Sequence, residues 1–166
     1  HADDGELLET LRLKDVALFG LAAATVVPAS TASSDVAEAA GLAYGMARAL
    51  AFLPQALARK HVPFPQSWLP EAGVSLEAIL AGGQSPAVHR LSRRMAELAR
   101  GHLALAQAGV AKLPRAQRVA FLPLALVRPY LRIAERHEAG VTAEAIEPSH
   151  VSRLWRIARM HVFGVI

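Results

Sequence analysis

Val88, Leu91, Met95, Leu98, His102, Leu105 and Gly109 step by three and four along an unbroken stretch from Pro86 to Val110. This spacing is the seam of an α-helix packed lengthwise on neighbours. Ser85-Pro86 opens it, with a cap former followed by a proline at the first helical position. Apolar residues make up 53% of the chain, much of it Ala and Leu, which favours further helices. Aromatics are only 5% and β-branched runs are few, so an all-β architecture has no support. At 166 residues the chain can bury one sizeable core. The sequence therefore predicts a single all-α domain over residues 1–166, a helical bundle.

Local signals place the remaining elements. Residues 5–13 are expected to form a short amphipathic helix and Asp15 to Val27 a buried apolar one. Pro28 to Ser34 is read as a loop rich in cap formers, and Asp35 with Glu38 as a capping-box-like start. The helix opened there places Val36, Ala39, Ala40, Ala43, Met46, Ala47 and Leu50 at helical spacing, then runs through a kink at Pro54 to Pro65. Three prolines and a glycine keep Pro63 to Gly73 irregular, with Trp68 and Leu69 as plugs into the core. Ser75 caps a short helix that stops at Gly82-Gly83. The segment from Lys112 to about Gly140 is helical but bent or split at Pro123 and Pro129. A last amphipathic helix over 149–163 sets Val151, Leu154, Trp155, Ala158 and Val162 in one stripe, with Arg153, Arg156 and Arg159 beside it.

Several classes of function fall away. The absence of cysteine removes disulfide scaffolds and thiolate metal sites. The net charge of +4 is spread over several helices without a compact basic block and interleaved aromatics, so nucleic acid is not an expected partner. The longest uncharged apolar run, Val16 to Val27, is about half of the ~20 residues that a membrane span needs. Asp3, Asp4 and Glu6 stand where a signal peptide would be cationic. The expected location is cytoplasmic; the Trp- and Arg-bearing last helix either packs on its own domain and presents Arg to water, the usual outcome, or lies on the inner face of an anionic membrane. The histidines lack His-Glu-x-x-His or another close ligand pair, and no Gly-rich phosphate loop or nucleophile motif is present. His102, in the apolar seam, is read as a core histidine with one hydrogen bond.

The stretch from Gly41 to Pro65 resembles, without gaps, the second aspartate-rich helix of the squalene/phytoene synthase family. That helix reads approximately G-x-A-x-Q-x-x-N-I-L-R-D-V-x-x-D-x-x-x-G-R-x-Y-L-P, and Gly41, Ala43, Leu50 and Pro65 fall in register. Leu69, Gly73-Val74 and Leu76-Glu77-Ala78-Ile79-Leu80 resemble the family's next segment, and Leu113-Pro114, Arg118, Leu126, Tyr130 and Leu131 are similar to its later helices. The resemblance covers roughly residues 16–140, with its core over 35–140. It implies the C-terminal part of an isoprenoid synthase bundle, expected to expose apolar helix faces that another copy or a partner chain covers.

The family holds Mg²⁺ with two aspartates one turn apart, and the metal binds the diphosphate of a prenyl donor. In this chain those positions are Phe52 and Ala56, the family's Asn and Gln become Arg48 and Gly45, and its Gly-Arg-x-Tyr-Leu-Pro tail becomes Lys60 to Pro65. Asp3-Asp4 and Asp15 lack the spacing of the partner motif. The resemblance thus implies no catalytic residue, no metal ligand and no cofactor, with Mg²⁺ expected only if an aspartate motif lies upstream. Tyr44, Gly45, Arg48, Phe52, Arg59 and Lys60 form the candidate ligand site. Arg48, Arg59 and Lys60 are alternatively placed to bind an anion directly, or Arg48 caps or snorkels at the bundle edge while Arg59 and Lys60 are solvated at a helix end. A prenyl diphosphate or another apolar or anionic molecule is the candidate ligand. A branch of the family with eroded motifs resembles assembly factors of respiratory complex I. The implied function is non-catalytic binding or assembly near membranes; the alternative is an isoprenoid-biosynthesis prenyltransferase whose catalytic half lies outside this chain.

Overall fold

The computed structural model describes residues 15–26, 31–82 and 85–138. Among them all regular structure is helical. A π-type turn at 15–16 leads into α1 (Ala17–Val26), followed by α2 (Thr31–Ala51), α3 (Leu53–Ala58), α4 (Trp68–Glu71) and α5 (Leu76–Gly82). Next come α6 (Pro86–Lys112), α7 (Arg115–Arg118), a 3-10 segment (Val119–Leu126) and α8 (Val127–Glu138). The helices expected over 5–13 and 149–163 lie outside the described residues.

The sequence's start signals act as their chemistry requires. The Ser85 hydroxyl accepts from the Val88 N–H at 3.3 Å, with Pro86 in the first turn. The Ser75 hydroxyl accepts from the Ala78 N–H at 3.2 Å. At the far end of α6, the Arg118 guanidinium donates to the carbonyls of Ala111 and Leu113, both at 2.9 Å, and satisfies acceptors that a helix end leaves open.

The central element is α2. It packs most extensively on α6, then on α8 and α1. Ala37, Ala40, Ala43, Met46, Ala47 and Leu50 are buried along it, and its small side chains let neighbours approach closely. A Cβ at Gly41 would lie 2.5 Å from the Val16 Cα, so the turn before α1 crosses directly over that glycine. A Cβ at Gly109 of α6 would lie 2.4 Å from Val36 Cγ2.

Four expectations are corrected. First, α2 begins at Thr31 and runs through Asp35, because the Ser, Thr and Ala residues assigned to a loop fit a first helical turn as readily. Second, the long helix breaks at Phe52 (φ −104°, ψ 17°), two residues before Pro54, which takes its place in the first turn of α3. The proline needs no N–H there, and its ring disfavours helical backbone just before it. Third, α1 is not buried all round: Phe19 is sealed in, but Leu18 and Leu21 are 63% and 65% exposed. Fourth, the buried edge of α6 runs Val88, Leu91, Met95, Ala99, Leu103, Ala106 and Val110. Leu98 and Leu105 are exposed and His102 is half-buried. A strict 3.5-residue seam drifts by about 20° per heptad on a straight helix, so the contact line moves one residue toward the C-terminus.

Pro123 falls inside the 3-10 segment, the split expected of it. Trp68 and Leu69 are buried as plugs. The Arg94 guanidinium stacks 4.3 Å from the Trp68 ring centre and pairs with Glu71, while Arg90 donates to the Ala72 carbonyl at 2.8 Å. These contacts fasten the proline-rich segment to α6.

Candidate functional site

An aromatic cluster forms where four elements meet. Phe19 of α1 stacks on Phe121 of the 3-10 segment, with ring centres 6.0 Å apart, and meets Tyr44 of α2 edge-on at 5.9 Å. Tyr130 of α8 completes the group, edge-on to both Tyr44 (5.9 Å) and Phe52 (6.0 Å). Such edge-to-face pairs match the quadrupoles of the rings and fix their orientation beyond simple area burial. Tyr44 and Phe52 are eight residues apart in sequence, so both point to one side of the helix near its broken end.

At the edge of this cluster lies an ion pair. One terminal nitrogen of Arg48 donates to both carboxylate oxygens of Asp15, at 3.1 and 3.2 Å. Asp15 is 2% exposed, whereas the Arg48 side chain is 45% exposed. The guanidinium also sits 5.9 Å from the Tyr44 ring centre, within cation–π range. Burial pushes the Tyr44 phenol up to about 12, and the neighbouring Tyr130, which also hydrogen-bonds to it, adds to the rise. Arg48 pulls in the opposite direction and does not prevail. At neutral pH the site therefore holds the protonated Tyr44 phenol, the Arg48–Asp15 ion pair and aromatic surface.

Of the six sequence-predicted residues, Tyr44, Arg48 and Phe52 are brought together here. Gly45 is buried on α2. Arg59 and Lys60 stand apart, exposed in the turn after α3. That turn is a Schellman motif: the His61 N–H donates to the Ala56 carbonyl and the Lys60 N–H to the Leu57 carbonyl, both at 2.9 Å. Lys60 has φ 57°, the left-handed conformation that glycine adopts without cost. Gly73 (φ 66°) ends α4 by the same motif, with Val74 N–H donating to the Leu69 carbonyl at 3.1 Å.

Asp15, Phe19, Phe121 and Tyr130 are site residues that sequence reasoning missed. The available signal was Asp15 itself, a lone carboxylate at the head of an apolar run; nothing local tied it to Arg48. His102 is half-buried, and burial lowers its pKa while Glu38 opposes the shift. Among the described residues, no three His, Asp or Glu side chains gather as a metal-binding group. No helix among them is long and apolar enough to cross a membrane.

An all-α arrangement around a central small-residue helix, with an aromatic cluster at its broken end, is consistent with the isoprenoid-synthase-like fold. The squalene/phytoene synthase family model matches residues 16–156, and the chain belongs to that family. Comparison with curated proteins and with solved structures gives no match.

Proposed function

We propose that this squalene/phytoene-synthase-like chain lacks the Mg²⁺-binding aspartates of its family and acts without catalysis, in a binding or assembly role near membranes. The observation that supports this most is Phe52. It occupies the register of a metal-binding carboxylate, and its ring packs edge-on against Tyr130. Mg²⁺ needs hard oxygen ligands, which neither Phe52 nor Ala56 can supply. Arg48 does not substitute as a free cation, since Asp15 neutralises it. The surroundings suit the apolar chain of a prenyl compound better than its diphosphate.

The exposed Leu18 and Leu21 on α1 favour a protein partner or a second copy of this chain. The stripe of Val151, Leu154 and Trp155 beside Arg153, Arg156 and Arg159 favours peripheral attachment to anionic lipid. A non-catalytic assembly role of this sort is what the eroded family branch resembling complex I assembly factors suggests. The decisive experiment is Mg²⁺-dependent turnover of farnesyl or geranylgeranyl diphosphate by the intact gene product. No product is expected; turnover would overturn the proposal and favour an isoprenoid-biosynthesis prenyltransferase.

A further inference from the structure

A concave site lies between α6 and α8, away from the aromatic cluster. It has a volume of about 390 Å³. Its floor is apolar, formed by Leu103 and Leu131, both 4% exposed. Its rim is cationic: Arg128 and Arg132 lie one turn apart on α8, and Arg100 faces them from α6. Gln107 adds an amide.

The charges are not equivalent. Arg100 pairs with Glu135 across the groove. Arg128 and Arg132 form no ion pair or side-chain hydrogen bond among the described residues, and both are exposed at the rim. Among the described residues, three arginines against one glutamate leave the groove with an excess of two positive charges. Two guanidinium forks one helical turn apart match the charge and oxygen geometry of a phosphate dianion, each able to donate a bidentate pair of hydrogen bonds. The apolar floor directly beneath accommodates the carbon skeleton attached to that phosphate.

We propose that this groove is a binding site for a phosphate monoester, held by Arg128 and Arg132, with its carbon portion on Leu103 and Leu131. The site is independent of the function proposed above, because it shares no residue with the cluster around Tyr44 and Arg48. The ester could be free in solution or the headgroup of a lipid; the shared chemistry is the dianion.

The full chain is titrated with glycerol phosphate by calorimetry, and separately floated with phosphatidylcholine vesicles with and without phosphatidic acid. Binding is expected to weaken at least about tenfold in the Arg128→Gln/Arg132→Gln variant, the loss of two charge-assisted contacts. It should be unchanged in Arg93→Gln/Arg115→Gln, which removes the same charge from exposed positions outside the groove. Glu135→Gln, which releases Arg100, should tighten binding. Glycerol phosphate binding with this pattern assigns the site to a soluble ester; the pattern with phosphatidic acid alone assigns it to a lipid headgroup. Absence of binding to both probes, equal weakening by the two double variants, or a Glu135→Gln variant that fails to bind more tightly overturns the proposal.

Discussion

Asp15 is nearly sealed from solvent, and Arg48 meets both of its oxygens from a position 33 residues further along the chain. Removing the cation leaves a buried carboxylate without its partner, which costs more than the net value of the pair itself. Because Arg48 is about half exposed, the full penalty of a buried pair is discounted, and Arg48→Ala is expected to destabilise by about 2 kcal/mol. The Asp15→Asn/Arg48→Ala double variant should recover about 1 kcal/mol of that loss in urea unfolding. Tyr44 gives a pH signature. Its folded pKa, about 12, lies above the unfolded value of 10.0, so the folded chain holds a proton that the unfolded chain releases. Its contribution to stability is complete below pH 10 and is lost as pH rises from 10 through 12. The Tyr44→Phe variant should show a shallower alkaline decline, measured by thermal unfolding across that window. Lys60 supplies an opposite case, a residue at odds with its own backbone. Left-handed backbone costs a side-chain-bearing residue roughly 1–2 kcal/mol, and glycine avoids it. Lys60→Gly is expected to stabilise the chain by about 1 kcal/mol in chemical denaturation, after the added entropy of the unfolded glycine is subtracted.

Helices in this protein are positioned by where small residues permit contact. Two glycines separate two ways of being close. At Gly109 a new methyl group would meet the Val36 side chain; at Gly41 it would meet the backbone of Val16. Overpacking of this sort costs about 1–3 kcal/mol. A side chain can be trimmed and a backbone cannot, so Gly109→Ala should be rescued by Val36→Ala, whereas Gly41→Ala should not be rescued by Val16→Ala. Melting temperatures of the four variants and two pairs would decide the matter. Gly41→Ala should also weaken the Arg48–Asp15 pair, since Asp15 belongs to the turn being displaced. The seam of α6 belongs to this scale too: its helix was legible, but its contact line depends on whether the helix supercoils or stays straight, which no single helix decides.

The molecule as a whole presents Leu18 and Leu21 on α1 and Leu105 on α6 to solvent, each more than 60% exposed. If a second copy covers these side chains, as proposed above, self-association is the expected outcome in sedimentation velocity across a wide concentration range. Monomeric behaviour throughout, together with unchanged behaviour of Leu18→Gln/Leu21→Gln, would count against it. The sequence by itself determined the helical class, the serine caps, a break close to Pro54 and the split at Pro123. These rest on interactions within a few residues, where steric rules and hydrogen-bond geometry act without reference to the rest of the chain. Only the tertiary structure decided that Asp15 neutralises Arg48, that Phe19, Tyr44, Phe121 and Tyr130 share one cluster, and that Arg100, Arg128 and Arg132 border one groove. Those contacts join residues far apart in sequence, and their geometry depends on how helices cross rather than on any local pattern.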